Sequence, residues 1–75
     1  MIRKKVLEDI GISVPDDASR FITRDSTIVF LVPYAEEYGH SIVFTEEEIT
    51  LELTEGQTEA LKAANCFGET GWTII

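Results

Sequence analysis

The stretch TIVFLV, residues 27–32, is the strongest β-strand signal in the chain. Its side chains are apolar at successive positions, a pattern that suits a central strand covered on both faces. Pro33 follows directly, and proline has no N–H to donate to a β-ladder. The sequence therefore predicts a buried strand that ends at Pro33 and around which a sheet forms.

Two further β-prone segments follow, at residues 41–45 and 49–53. Ile42 and Phe44 of the first segment are even-numbered and the apolar positions of the second are odd-numbered, so one continuous strand would place them on opposite faces. A break at 45–48 removes this conflict, since a four-residue loop around a type I turn accepts ordinary residues. The alternative is a helix capped by Thr45 with Glu48 at the capping-box position. The clean alternation after residue 49 favours a hairpin with the glutamates of 46–48 at its tip.

A short helix is predicted before the central strand. Its apolar face repeats at helical spacing, and Gly11 is a natural stop because glycine adopts the left-handed conformation without strain. The residues of this face are Ile2, Val6, Leu7 and Ile10. The segment between this helix and the central strand has two interpretations. Asp16-Asp17 could cap one helical turn, and a short strand over Arg20–Thr23 is equally compatible with the residues.

The C-terminal third contains the signals for a second helix and a last strand. Thr54 and Gln57 have the spacing of a capping box, and one apolar face follows at Ala60, Leu61 and Ala64. Residues 71–75 are expected to return to the sheet. Residues 1–75 are therefore predicted to form a single compact α+β domain. It has an antiparallel sheet of about four to five short strands, with an N-terminal and a C-terminal helix packed on one face.

Length and composition narrow the class of protein. A chain of 75 residues with 44% hydrophobic residues is a globular domain near the lower limit for folding around a single core. The single cysteine, Cys66, excludes an internal disulfide and favours a reducing compartment. No signal-peptide h-region and no apolar run of roughly 18 residues is present. We expect a soluble cytoplasmic protein that does not enter a membrane.

The charge is unevenly distributed along the chain. The formal net charge is −8, yet residues 1–25 hold five basic and five acidic residues and are neutral. Residues 26–75 hold one lysine and nine glutamates, which accounts for all of the net charge. Such a field repels phosphate backbones and attracts basic surfaces. Direct nucleic-acid binding is therefore not expected.

Signals for catalysis are nearly absent. His40 ends the segment PYAEEYGH and could serve acid–base chemistry or metal binding, but it is the only histidine. Cys66 follows a predicted helix C-terminus, where the helix dipole disfavours a thiolate, so a small buried apolar side chain is expected. No Gly-x-Ser-x-Gly frame, phosphate loop or calcium loop is present. We expect no enzymatic activity, no cofactor and no metal.

The acidic residues are the one feature above background. Carboxylates in a row can take the place of phosphates on a basic partner, because arginine clamps both anions with two parallel hydrogen bonds. The alternative is a solvated surface that only keeps the protein in solution. The candidate partner-binding residues are Glu36, Glu37, Glu46, Glu47, Glu48, Glu52, Glu55 and Glu59.

In size, charge and lack of catalytic motifs the chain resembles the small proteins that phages carry against host defences, anti-CRISPR proteins among them. The resemblance implies an inhibitor that occupies a basic, nucleic-acid-binding surface of a host protein or nucleoprotein complex. The alternative is a structural or assembly module that pairs with a partner or forms a homodimer. Such a module would use Trp72, Tyr34, Tyr38 and an exposed strand edge. Salt separates the two, because a charge-driven complex weakens steeply with ionic strength.

Overall fold

The computed structural model describes residues 1–75 and contains two helices and four strands. In chain order these are α1 (Lys4–Asp9), β1 (Arg20–Arg24), β2 (Thr27–Tyr38), β3 (Ser41–Glu52), α2 (Glu55–Ala63) and β4 (Trp72–Thr73). The strands form one sheet in the order β3-β2-β1-β4, and all neighbouring strands are antiparallel. The predicted α+β class and the antiparallel sheet are confirmed. Neither helix is long and apolar enough to cross a membrane.

The buried core contains one face of the β1–β2 ladder. Phe21 of β1 lies directly opposite Phe30 of β2, so both side chains point to the same face, and Ile28 joins them two residues along β2. Leu7 of α1 and Leu61 of α2 belong to the same buried cluster. We call this face of the sheet the helix-side face and the other the open face.

Strand β2 does not end at Pro33, as the sequence predicted, but continues to Tyr38. The amide of Ser19 donates to the carbonyl of Leu31, so the backbone groups of Leu31 and, by alternation, those of Pro33 point toward the β1 side. Strand β1 begins at Arg20, opposite Leu31, and covers nothing beyond it. The missing N–H of Pro33 therefore removes no ladder hydrogen bond, which is the condition under which a strand tolerates proline.

The hairpin turns at Gly39-His40, so the prediction of a tip at 46–48 is wrong. Tyr38 pairs with Ser41, which leaves a two-residue turn. Gly39 has a φ of 61° at the first central position, where a type II′ turn requires a residue that tolerates positive φ. Strand β3 is consequently continuous from Ser41 to Glu52.

The apolar residues of β3 change face along this continuous strand. Ile49 and Leu51 lie on the helix-side face and pack against the core, whereas Ile42 and Phe44 lie on the open face. The prediction of a break at 45–48 holds only for a strand whose apolar side chains all face one core. Strand β3 does not meet this condition beyond the end of β1, where only two strands continue. We call this two-stranded extension, residues 32–47, the arm; it contributes to a long axis of 47 Å for a molecule 22 × 18 Å across.

Helix α1 is shorter than the apolar pattern indicated. Ile2 precedes it and forms a parallel bridge with Ile74, so its burial comes from the sheet rather than from the helix. Within α1 only Leu7 is buried, and Val6 is 43% exposed. Gly11 follows with a φ of 86°, as expected for a glycine that ends a helix.

The other local predictions agree more closely with the structure. The side chain of Thr54 accepts the amide hydrogen of Gln57 at 3.1 Å, and the side chain of Gln57 accepts that of Thr54 at 2.9 Å. This reciprocal pair is the predicted capping box. Of the two interpretations before β2, the strand is correct, because Arg20–Arg24 is β1 and Asp16-Asp17 lies in a turn. The predicted last strand is β4, which pairs with β1.

Replacing Phe30 with alanine should destabilise the fold by about 3–5 kcal/mol, because Phe30 is fully buried and its removal leaves a cavity beside Phe21. The matched control is Phe44→Ala, the same change at a side chain that is 83% exposed, for which a loss within about 0.5 kcal/mol is expected. Urea unfolding of both variants measures the difference. A loss below about 1 kcal/mol for Phe30→Ala would contradict the described core.

Candidate functional site

The eight candidate glutamates do not form one cluster. The strand register divides those of the sheet between its two faces, and the remaining two lie on or beside the first turns of α2. On the open face are Glu37, Glu46, Glu48 and Glu52; on the helix-side face are Glu36 and Glu47; on α2 are Glu55 and Glu59. What the structure brings together is a row of four glutamates along the second half of β3.

Some of these charges are already paired within the chain. Arg20 Nη2 lies 3.1 Å from Glu46 Oε1, and Lys62 Nζ lies 3.9 Å from Glu59 Oε1. The other six candidates make no ion pair within 4.0 Å. No lysine or arginine occurs between Arg24 and Lys62 in the sequence, so β2 and β3 have no basic residues of their own.

Arg24 is the second basic residue beside the row on β3. It donates a hydrogen bond from Nε to Glu69, and this bond, with the charge of Glu69, is the main reason that the pKa of Arg24 is raised. The charge of Glu48 contributes to the same increase. Arg24 therefore balances part of the charge of Glu48 on the open face, and Glu47 and Glu52 have no such neighbour among the described ion pairs.

Strand β3 presents its carboxylates on an outer edge. It is the last strand of the sheet on one side, paired only with β2. Side chains two residues apart on a strand are about 6.8 Å apart along it. Glu46 and Glu48 have this separation on the open face, and Glu47 projects between them on the other face. The exposed edge therefore presents carboxylates on both sides of a thin sheet.

The helix-side face of the arm carries a tyrosine–carboxylate group. Tyr34, Glu36 and Tyr38 alternate along β2, and the Tyr38 hydroxyl donates a hydrogen bond to Glu36. Hydrogen bonding to Glu36 raises the pKa of Tyr38, and the same carboxylate raises the pKa of Tyr34 through hydrogen bonding and its charge. Glu36 is half-buried and engaged within the chain, which makes it the least available of the candidate glutamates.

An apolar group near the tip of the arm was missed by the sequence reasoning. Ile42, Val43 and Phe44 are 59%, 46% and 83% exposed, although their pattern suggested a strand packed on the core. Ala35 lies opposite Phe44 on the open face. The change of apolar parity within β3 could have revealed Ile42 and Phe44, because a strand with only one core has no reason to change parity. No such signal marks Val43, whose parity matches that of Ile49.

The remaining candidate residues do not assemble a catalytic or metal site. His40 is exposed in the hairpin turn, and no three His, Cys, Asp or Glu side chains are grouped closely enough to hold a metal ion. Cys66 is buried, as predicted. Trp72 was expected to pair with another molecule, but it is half-buried and its ring stacks on Phe21 with centroids 5.6 Å apart. Its role is therefore in the core.

Replacing Glu36 with glutamine should lower the pKa of Tyr34 and Tyr38 toward the ordinary value of about 10. The Glu36 carboxylate stabilises the protonated phenols. This stabilisation is present below the ordinary pKa of tyrosine and is lost as pH rises through the raised pKa. The midpoint of phenolate absorbance against pH measures this. Glu37→Gln, the same change on the opposite face, is the control, and equal shifts in both variants would contradict the assignment.

Comparison with known proteins finds no relative: no protein-family model, no curated protein and no solved structure matches the chain. Its function is therefore inferred from its own side chains.

Proposed function

We propose that this chain is a non-enzymatic, acidic protein-binding module that inhibits its partner by occupying a basic, nucleic-acid-binding surface. The observation that supports this proposal is the exposed row of carboxylates on β3, of which Glu47, Glu48 and Glu52 make no ion pair. The same strand carries no basic residue. A basic partner would supply the counter-charges that this strand lacks.

The shape of the row suits such a partner. Glu48 and Glu52 project from the open face and Glu47 from the helix-side face, so a groove that encloses the edge of β3 meets carboxylates on both walls. In the arm the sheet is only two strands wide, and the two strands lie about 5 Å apart. Arginine side chains that clamp phosphates can clamp carboxylates with the same pair of hydrogen bonds. The binding residues in this proposal are Glu47, Glu48 and Glu52, with Glu37 nearer the tip.

The partner class follows from the charge. A channel lined with lysine and arginine that holds a nucleic-acid duplex, as in RNA-guided nucleases, is a surface on which an acidic strand competes with the nucleic acid. We therefore propose that the chain acts as a phage-type counter-defence protein, in the functional manner of anti-CRISPR proteins. Its partner in this proposal is a basic host protein or nucleoprotein complex, in the cytoplasm.

The chain by itself should not bind duplex DNA at physiological salt, because its net charge of −8 repels the phosphate backbone. Fluorescence anisotropy with a labelled duplex measures the interaction. The control is the same titration at low salt, where weak attraction would be strongest. Sub-micromolar binding would contradict the proposed mimicry, since a mimic of nucleic acid competes with DNA rather than attracting it.

Replacing Glu47, Glu48 and Glu52 together with glutamine should weaken partner binding at least tenfold, a loss of about 1.4 kcal/mol or more. The matched control neutralises three exposed acidic residues outside the row: Glu8→Gln, Asp9→Asn and Asp17→Asn. Each triple variant moves the formal net charge from −8 to −5, because three charges are removed. If the loss of partner affinity depended only on net charge, it would be equal in the two triple variants. Melting temperatures should be little changed, because exposed carboxylates contribute little to stability.

The partner for this measurement is captured from bacterial lysate on the immobilised chain. We expect to capture proteins that bind the wild type and the control triple variant but not the β3 triple variant. Added nucleic acid or high salt should release these proteins. If added nucleic acid did not release the captured proteins, this result would contradict competition for a nucleic-acid-binding surface. Equal retention by the two triple variants would contradict the assignment of the binding residues to β3.

A further inference from the structure

The outer edge of β3 has unpaired backbone groups along its length. The amide of Leu53 donates to the carbonyl of Ser26, so odd-numbered residues of β3 direct their N–H and C=O groups toward β2 and even-numbered residues direct theirs outward. No strand of the chain lies on that outer side. An open edge of this kind is a template for another β-strand.

The two halves of this edge differ in charge. From Glu46 to Glu52 the edge carries four glutamates, and charged side chains are a usual means of preventing association between edges. Residues 41–45, SIVFT, carry no charge and are mostly β-branched or aromatic. Phe44 is 83% exposed and Ile42 is 59% exposed. We call residues 41–45 the uncharged edge.

The free edge of β2 in the arm is a weaker template. Its outward-pointing residues beyond Leu31 are Pro33, Ala35 and Glu37, by the alternation described for β2. Pro33 has no N–H, and Glu37 brings a charge. The uncharged edge of β3 is therefore the segment of the sheet best suited to accept a strand.

We infer that the uncharged edge pairs in antiparallel orientation with the same segment of a second copy, about a two-fold axis at Val43. This register places Ile42 opposite Phe44 of the other copy at two symmetric positions, and four backbone hydrogen bonds form because both residues point their polar groups outward. Ser41 lies opposite Thr45 of the second copy. The inference goes beyond the proposed function and does not depend on it.

The charge pattern of β3 selects both the partner and the register. With the axis at Val43, antiparallel pairing brings Glu46 of each copy beside His40 of the other, a charge-compatible arrangement. An axis at Phe44 would instead place Glu46 opposite Ile42. An axis at Glu46 or Glu47 would place carboxylates opposite carboxylates, which is destabilising. In this register β3 is self-complementary, because the two-fold axis places the acidic end of β3 in one copy beside the non-acidic end of β3 in the other.

The resulting dimer leaves the proposed binding row accessible. In each copy the part of the molecule outside the arm lies at the far end of the paired arms, since residues 41–45 are close to the tip of each arm. The sheet becomes continuous through eight strands, in the order β4-β1-β2-β3 followed by its symmetric copy. On the open face the exposed Ile42 and Phe44 of both copies form one apolar cluster. The dimer is closed, because the two-fold axis pairs the uncharged edge of each copy with that of the other and leaves neither of them free for a third copy.

Sedimentation equilibrium of the full chain tests this inference. The wild type should reach twice its 8.4 kDa mass at high micromolar concentration. Val43→Lys should weaken dimerisation at least tenfold, because two lysines lie directly opposite across the axis. Thr45→Lys is the matched control, on the same strand and face, since its lysine lies opposite Ser41 of the other copy and should leave the dimer intact. A monomeric wild type, or equal effects of the two lysines, would overturn the inference.

Disulfide trapping gives a second, independent readout. In a Cys66→Ala background, Val43→Cys should form a covalent dimer under mild oxidation, because non-hydrogen-bonded antiparallel pairs have Cα atoms about 4.5 Å apart, within disulfide reach. Thr45→Cys should not, since the two positions are four residues apart along the paired strands. Mixing Ser41→Cys with Thr45→Cys should restore the cross-link. Equal cross-linking of Val43→Cys and Thr45→Cys would overturn the proposed register.

Discussion

The difference in length between β1 and β2 sets both the extent of the core and the existence of the arm. Strand β1 has five residues and β2 has twelve, and their pairing ends at Leu31. Up to that residue the sheet can bury Phe30 against Phe21 beneath the helices. Beyond it β2 has only β3 for a neighbour, so the arm is exposed on both faces and along both edges.

The core that results is small. Only 11 of 75 residues are buried, because the arm adds length to the molecule without adding a third strand or a covering helix. Small domains often gain stability from association with another chain, and the apolar residues of this molecule that lack internal cover are concentrated at the arm. The glutamates that follow on β3 limit which surfaces can approach. Apolar pairing is possible near the tip, and toward the body the edge favours a basic partner.

The same carboxylates therefore admit a structural and a functional explanation. As charges on an edge strand, Glu46–Glu52 protect the sheet from indiscriminate pairing. As exposed anions without an ion pair on the edge strand, Glu47, Glu48 and Glu52 are the residues that we propose for binding to a basic groove. The two roles are compatible, because both require that the carboxylates remain exposed and without internal counter-charges. Glu46 and Glu36, which are engaged by Arg20 and Tyr38, contribute less to binding a basic groove.

The features that depend only on neighbouring residues could be predicted from the sequence. The apolar run at Ile28–Phe30, the capping box at Thr54 and the burial of Cys66 were predictable, because local spacing and side-chain type specify each of them. The acidic nature of β3 was equally evident. Tertiary structure alone decided where the strands end. Pro33 can remain in β2 only because the side to which its nitrogen points is that of β1, and β1 begins at Arg20, opposite Leu31. With β2 extended, the hairpin turns at Gly39 and the glutamates of 46–48 move from a predicted tip into a strand. The residues around Pro33 do not specify where the pairing of β1 with β2 ends. The position of that end determines which side chains of the arm are exposed.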